Sequence, residues 1–419
     1  MNLVKLFETH KQWFAVQDLL SQLSSKGYES YLAGGCVRDG LMAVQPADFD
    51  VATEATPDQI KKMFPRAIEV GRAFGVMMIP FESFQIEVTT FRKDGEYQDG
   101  RRPESVTFCK SKEDALRRDF TINALFYDIV NHRVVDYVDG IQDIKNKIIR
   151  TVGVPQQRFS EDKLRLMRAA RFSGQLNFEI EKQTLSAMHE LSGEILQVSQ
   201  ERITAEFKKI SQGQVPAKSL AIMQSTKMLE VLWPGFHFFK SDLWSSFLTA
   251  VQISAKIKSF EMLVSYFLIY EILHRVKSSE KSEMAPEMHL VVAKDSRRQI
   301  DFLVDGFFHF ANSESPHFME RSLILLNHEL GPLLSELCYN LSLLRLLPRK
   351  NIVEVVERFL ELSDDKGHLP KPFLTGEDLL KLGFEASSEL GEKLKELYFA
   401  QLRGEIETKD QALDKARSH

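Results

Sequence analysis

Two aspartates separated by one phenylalanine, Asp48-Phe49-Asp50, close the stretch LAGGCVRDGLMAVQPADFDVAT at residues 32–53. On a β-strand, residues two apart share a face. This spacing therefore sets two carboxylates side by side and turns Phe49 towards a core. Like charges that close repel unless a cation lies between them, and hard carboxylate oxygens suit Mg²⁺, which also carries substrate phosphates. Upstream, Gly34-Gly35 lets backbone approach a phosphate, and Arg38 can meet its charge. Glu87, in the run IEVTTF, is either a third carboxylate for the same ion or a solvent-facing strand glutamate. A lone DxD also describes a plain acidic turn; the glycine pair and the arginine ahead of it are what point to phosphate chemistry.

Two later segments carry matching chemistry. In RRDFTINAL, residues 117–125, Arg117 and Arg118 are fork-shaped donors for phosphate oxygens, and Asp119 can accept from a ribose hydroxyl. The same residues could instead open a helix with its own ion pairs. In RFSEDKLRLMRAARF, residues 158–172, Ser160 is expected to cap a helix. Residues three apart on a helix are neighbours, so Asp162, Arg165, Arg168 and Arg171 are expected to form one stripe. A ladder of surface ion pairs is the plainer alternative, but three guanidiniums to one carboxylate leave an excess of positive charge. Asp162 can accept from an exocyclic amine while Arg165 donates to an unprotonated ring nitrogen. Cytosine and adenine present that pattern; uracil and guanine present the reverse. A site built from such bonds rejects the mismatched base because its buried groups stay unpaired.

These residues need a scaffold. Residues 1–27 are expected to form one amphipathic helix with Leu3, Leu6, Phe7, Phe14, Leu19 and Leu20 as its stripe. Thr56-Pro57 should start another, and AIEVGRAF, GVMMIPF and FQIEVTTF look like strands of a mixed sheet. RKDGEYQDGRRPES, residues 92–105, reads as a surface loop able to close over an anion. DYVDGIQD, residues 136–143, suits a tight turn. From about 150 onward the pattern is helix after helix, with polar connections near 277–286 and 363–372. The expected class is α+β: a small mixed-sheet head followed by a long helical part.

With 419 residues, 43% hydrophobic and 27% charged, the chain has ample core for several domains. A net charge of -5 excludes a uniformly basic nucleic-acid binder, though not a local basic track. Cys36, Cys109 and Cys338 lack metal-ligand spacing and read as small buried residues of a reducing compartment. The first residues, MNLVKLFETHKQWF, show no signal-peptide pattern, and no uncharged apolar run is long enough for a bilayer. The expected location is cytoplasmic, with no membrane contact and no stable protein partner.

Taken together, GGCVRD with DFD, TTFRKDGEYQDGRRP, RRDFTINAL, DYVDGIQD and RFSEDKLRLMRAARF resemble the class II tRNA nucleotidyltransferases and poly(A) polymerases of the polymerase-β superfamily. The order and spacing of these motifs match over residues 31–175, and SQERITAEFKKI at 199–210 is similar to the segment that follows in the family. The resemblance implies a polymerase-β-like nucleotidyltransferase head at 1–150, an all-helical neck at 151–215 with the nucleotide-selecting helix, a tRNA-binding body at 216–370 and a tRNA-binding tail at 371–419. It implies Mg²⁺ on Asp48 and Asp50, nucleotide contacts from Gly35, Arg38 and Arg118, and Asp162 with Arg165 as a protein template flanked by Arg168 and Arg171. The implied substrates are CTP, ATP and the 3′ acceptor end of tRNA, with the tRNA elbow gripped further along, where Arg345, Arg349 and Lys350 are candidates. Leu41-Met42-Ala43 stands where the family has Leu-Leu-Gly, so a small repacking is expected there. CCA addition is the expected activity; A-only, CC-only or poly(A) addition, or tRNA binding without catalysis, are its alternatives.

Overall fold

The computed structural model describes residues 3–95, 105–278, 288 and 290–418. The chain forms two compact units, one of residues 1–239 with 287–291 and one of residues 240–286 with 292–419.

The first unit has strands β1 (Ser30–Ala33), β2 (Asp50–Thr53), β3 (Ile68–Gly71), β4 (Val76–Pro80), β5 (Gln85–Thr90), β6 (Arg92–Asp94), β7 (Val106–Phe108), β8 (Leu125–Asp128) and β9 (Arg133–Asp136), with short helices between some of them. Seven of them make one mixed sheet in the order β3-β4-β5-β2-β1-β8-β9, while β6 and β7 pair separately. Strand β2 lies between β1, antiparallel with Ala33 opposite Asp50, and β5, parallel with Glu87 opposite Asp50. The central strands are anchored by buried β-branched and aromatic side chains, Val51 on β2, Ile86 and Val88 on β5, and Phe126 and Tyr127 on β8. Thr56 opens the Pro57–Met63 helix with the expected capping box: its side chain accepts from Gln59 N–H, and the Gln59 side chain accepts in return.

The expected 1–27 helix is two helices, Val4–Phe7 and Trp13–Ser25. Phe14 lies off the buried stripe, 75% exposed, whereas Phe7 and Trp13 are buried. Their rings pack against Phe49 at centroid separations of 5.2 and 5.8 Å. The residue between the two aspartates is therefore held in an aromatic cluster, which fixes how the carboxylates leave the core.

Helices fill the rest of the first unit, with one small exception: Ile148–Ile149 pairs in parallel with Glu179–Ile180, so the segment after 150 is not wholly helical. Asp136 shows why DYVDGIQD is a turn. Its carboxylate accepts from the N–H groups of Val138, Gly140 and Ile141. A Cβ on Gly140 would lie 2.3 Å from the Thr121 carbonyl oxygen, so only glycine fits.

The second unit is helical throughout its described residues. Its last segment has a core of its own, in which Leu374, Leu379, Leu397, Ala400, Ile406, Ala412 and Ala416 are buried together. No described helix is long and apolar enough to cross a membrane. Of the cysteines, Cys36 and Cys338 are buried as expected and Cys109 is only partly so. Residues 96–104 and 279–287, parts of the expected loop and of the first polar connection, lie outside the described residues.

Candidate active site

A cavity of about 430 Å³ in the first unit is lined by Gly34, Gly35, Arg38, Asp50, Glu87, Arg118, Asp119, Asn123, Asp162, Arg165 and Arg168, among others. Sheet, glycine turn and the later helical segment all contribute to it.

The glycine turn is built by β1 running into the Gly35–Leu41 helix. Gly34 has φ 72°, and a Cβ there would lie 3.2 Å from Arg118 Nη1. The turn thus needs glycine both for its left-handed backbone and for the close guanidinium. Arg38, 6% exposed, is aimed by two neighbours: Asp39 at 2.7 Å and Asn123, whose Oδ1 accepts from Nη1 at 2.7 Å. The helix ends in a Schellman pattern, with Ala43 N–H bonding Gly40 O at 3.0 Å and Val44 N–H bonding Asp39 O at 2.9 Å. Ala43 takes the left-handed position at φ 59°. The backbone here takes a conformation suited to glycine with alanine in it.

The two aspartates are less symmetric than their spacing suggests. Strand β2 begins at Asp50; Asp48 sits in the exposed bend before it and is not among the cavity-lining residues. The two still interact: desolvation pushes the Asp50 carboxyl up to about 7, helped by the charges of Glu87 and Asp48 and opposed by Arg118. Among the described residues neither aspartate has an ion-pair partner, and no three His, Cys, Asp or Glu side chains are already gathered closely enough to hold an ion. Adjacent hard carboxylates without an ion-pair partner, whose mutual repulsion a cation would relieve, are a donor set that fits a divalent cation.

Arg118 and Arg117 are organised by Asp114. Its carboxylate, 1% exposed, meets Arg117 Nη2 at 2.6 Å and Arg118 Nη2 at 3.0 Å. Burial works to raise the Asp114 pKa, but Arg118 and Arg117 overcome it and hold the group below its usual range. Arg118 also lies 4.9 Å from the centroid of the Phe126 ring. Asp119 is pinned by Arg168, whose Nε donates to Oδ2 at 2.9 Å. Despite full desolvation, Arg168 brings the Asp119 carboxyl down to about 2.

The expected continuous stripe on a single helix is not formed. One helix, Pro155–Glu161, ends before Asp162, and a second runs Leu164–Leu176. Asp162 lies at the break in an extended conformation, its Oδ1 accepting from Leu164 N–H at 3.1 Å. Ser160 is inside the first helix and caps nothing. Asp162 Oδ2 accepts from Arg202 Nη2 at 2.8 Å. Arg165 does not pair with Asp162; its Nη1 donates to Glu161 Oε2 at 2.6 Å and to Arg158 O at 2.8 Å. Asp162, Arg165 and Arg168 all reach the cavity.

Arg171 does not line it. Its Nε donates to buried Glu206 at 2.6 Å, and its guanidinium lies 3.9 Å from the Phe172 ring centroid. Burial lowers the Arg171 pKa, with Glu206 opposing. Arg171 is part of the wall behind the site. Asn123, Arg202 and Glu206 are the supports that sequence reasoning missed. Asn123 stood inside RRDFTINAL, and the other two inside SQERITAEFKKI, but nothing local assigned them partners.

Residues 30–150 match the family described as the poly A polymerase head domain, and residues 177–239 match the probable RNA and SrmB- binding site of polymerase A. The CCA-adding enzyme of Staphylococcus epidermidis is 42% identical over 234 residues, which are 56% of this chain and 57% of that protein. The CCA-adding enzyme of Limosilactobacillus fermentum is 45% identical over 211 residues, covering 50% and 52%. The chain thus spans about half the length of the curated relatives it matches. The crystal structure of the Bacillus stearothermophilus CCA-adding enzyme in complex with CTP has a TM-score of 0.73 and 24% identity, over 98% of this chain and 99% of that one. The Thermotoga maritima CCA-adding enzyme complexed with tRNA-CCA has a TM-score of 0.70 and 18% identity, over 100% and 98%. At such identities these two structures establish a shared fold. The chain thus carries a segment that matches the poly A polymerase head domain, is 42–45% identical to CCA-adding enzymes over about half its length, and shares its fold end to end with solved CCA-adding enzymes.

Proposed function

We propose that this chain is a template-independent tRNA nucleotidyltransferase that adds CCA to the tRNA 3′ end, using CTP and ATP. The observation that carries the reading is the single cavity that gathers Asp50, the Gly34–Gly35 turn, Arg38, Arg118, Asp162 and Arg165. The tRNA 3′-hydroxyl oxygen bonds to the α-phosphorus of the incoming nucleotide in line, and the bond to pyrophosphate breaks. Asp48 and Asp50 would hold Mg²⁺, which supplies a more acidic attacking hydroxyl and charge neutralisation on the phosphates. Gly35 backbone, Arg38 and Arg118 orient the triphosphate. Asp119, kept ionised by Arg168, presents its remaining lone pairs to the ribose. Asp162 accepts from the amine of cytosine or adenine, and Arg165 donates to the ring nitrogen. Asp162 is spoken for by Leu164 and Arg202, but a carboxylate has about four lone-pair sites, so room remains. Arg171 acts through the wall and does not touch the nucleotide.

The relatives named CCA-adding enzymes, and solved relatives in complex with CTP and with tRNA-CCA, support the substrates assigned here. We assign chemistry to residues 1–150, base choice to 151–215 and tRNA grip to 216–370 and 371–419, in a cytoplasmic enzyme. The test offers purified protein tRNA ending at the discriminator base, at C or at CC, with each nucleotide alone and in mixtures. Addition of C, C and A in order supports the reading. Extension of tRNA-CC alone, or long A tails, would replace it with A addition or with the poly(A) synthesis that the head-domain family name allows. No extension under any condition would leave a tRNA-binding protein.

A further inference from the structure

Three of the hydrogen bonds of Asn123 go to groups of the cavity that face the substrate. Its side-chain Oδ1 accepts from Arg38 Nη1 at 2.7 Å, its Nδ2 donates to Asp119 Oδ1 at 3.3 Å, and its main-chain oxygen accepts from Arg118 Nη1 at 3.2 Å. Asn123 is 8% exposed, lines the cavity itself and ends the short helical turn Thr121–Asn123. That turn is held in place by its own bonds. Asn123 N–H bonds the Phe120 carbonyl at 3.0 Å, and Thr121 Oγ1 donates to the buried Asp143 carboxylate at 2.7 Å.

An amide offers an acceptor to a guanidinium and a donor to a carboxylate at the same time. An aspartate here would set carboxylate against carboxylate, and an alanine would leave Arg38 and Asp119 each short of a bond. Among the described residues no hydrogen bond or ion pair joins Arg38 to Asp119 directly. Arg38 pairs otherwise with Asp39 at 2.7 Å, and Asp119 with Arg168 at 2.9 Å. The amide is therefore the bridge between the guanidinium assigned to the triphosphate and the carboxylate assigned to the ribose. The Asn123 carbonyl adds Arg118 to the same unit. We infer that Asn123 is a positioning residue that couples sugar reading to phosphate placement, so that a ribose seated against Asp119 sets the triphosphate on Arg38 and Arg118. In a buried, fully paired network of this kind each bond strengthens the next. The inference rests on the nucleotidyl-transfer reading for what those three groups hold.

The test measures binding of CTP and of 2′-deoxy-CTP to the full chain by calorimetry, with Mg²⁺ and without tRNA. R38K, D119N and the two together are compared in the natural background and in N123A. Groups in one hydrogen-bond network combine non-additively, whereas independent groups multiply within about twofold. In the natural background the double variant should depart from the product of the two single losses in CTP affinity by about fivefold or more. In N123A the losses should multiply within about twofold. N123A should also weaken CTP binding by about tenfold and narrow the preference for CTP over 2′-deoxy-CTP several-fold. A loosened fold would weaken both nucleotides alike. Urea midpoints identify any variant that does not fold, and N123S then carries the same comparison, because its hydroxyl is too short to reach both groups. Single losses that combine alike with and without the amide, or a preference for CTP that N123A and N123S leave unchanged, would overturn the coupling. Because binding is read without catalysis, a natural protein that shows the coupling yet adds no nucleotide to tRNA would sink the tRNA reading and leave the assignment of Asn123 standing.

Discussion

Arg202 donates from Nη2 to Asp162 Oδ2 at 2.8 Å, tying a helix far along the chain to the break that presents the base-reading carboxylate. A charge-assisted bond of this kind contributes about 1.5–3 kcal/mol. Arg202→Ala should therefore raise KM for CTP and lower kcat/KM by roughly tenfold, with the preference for CTP over UTP narrowing as Asp162 loses its orientation. Arg202→Lys should restore part of the preference. An unchanged KM and an unchanged CTP:UTP ratio would show that Asp162 needs no such support.

Asp119 gives the fold an acid-sensitive contribution to stability. Arg168 depresses its carboxyl to about 2, so its contribution to stability is present above the unfolded value near 4 and is lost as pH falls through about 2. At neutral pH Asp119→Asn should cost roughly 2 to 3 kcal/mol, and the gap to the natural protein should close between pH 4 and 2. Urea titrations of both proteins at stepped pH read this directly. A gap that stays constant with pH would mean that the Arg168 pair contributes nothing to folding.

Ala43 holds a left-handed backbone at φ 59° at the end of the Gly35–Leu41 helix. For an L-residue with a Cβ that conformation costs about 1–2 kcal/mol, and glycine gives back about 0.5–1 through the freer unfolded chain. Ala43→Gly should thus stabilise the first unit by roughly 0.5–1 kcal/mol, seen as a higher urea midpoint for loss of the sheet. A lower midpoint would mean that the alanine methyl makes a contact worth more than the relief.

The features legible in the sequence were the local ones. Gly34-Gly35, Arg38 and the Asp48-Phe49-Asp50 triplet declared themselves because a tight turn and an alternating pattern depend on adjacent residues. The triplet still misled in one respect, since β2 starts only at Asp50 and leaves Asp48 in a bend. The Asp162-to-Arg171 segment misled further. Steps of three residues drift about 60° backwards on an α-helix, so three such steps carry Arg171 roughly half a turn from the starting face. Arg171 accordingly meets buried Glu206, while Arg165 and Arg168 reach the cavity. The break at Asp162 was also invisible, because its bond from Arg202 comes from 40 residues away. Non-local partners of this kind leave no periodic trace.

The central claim is that nucleotide choice is made by Arg165 and Asp162 in the same cavity that holds the reacting phosphates. Single-turnover incorporation onto tRNA lacking CCA, with CTP, ATP, UTP and GTP offered separately to the natural protein and to Arg165→Ala, tests it most directly. The natural protein should incorporate C, and then A once the transcript ends in CC, with UTP and GTP excluded. The Arg165→Ala protein should be slower with CTP and should admit UTP or GTP. Continued exclusion of both by Arg165→Ala would contradict the account.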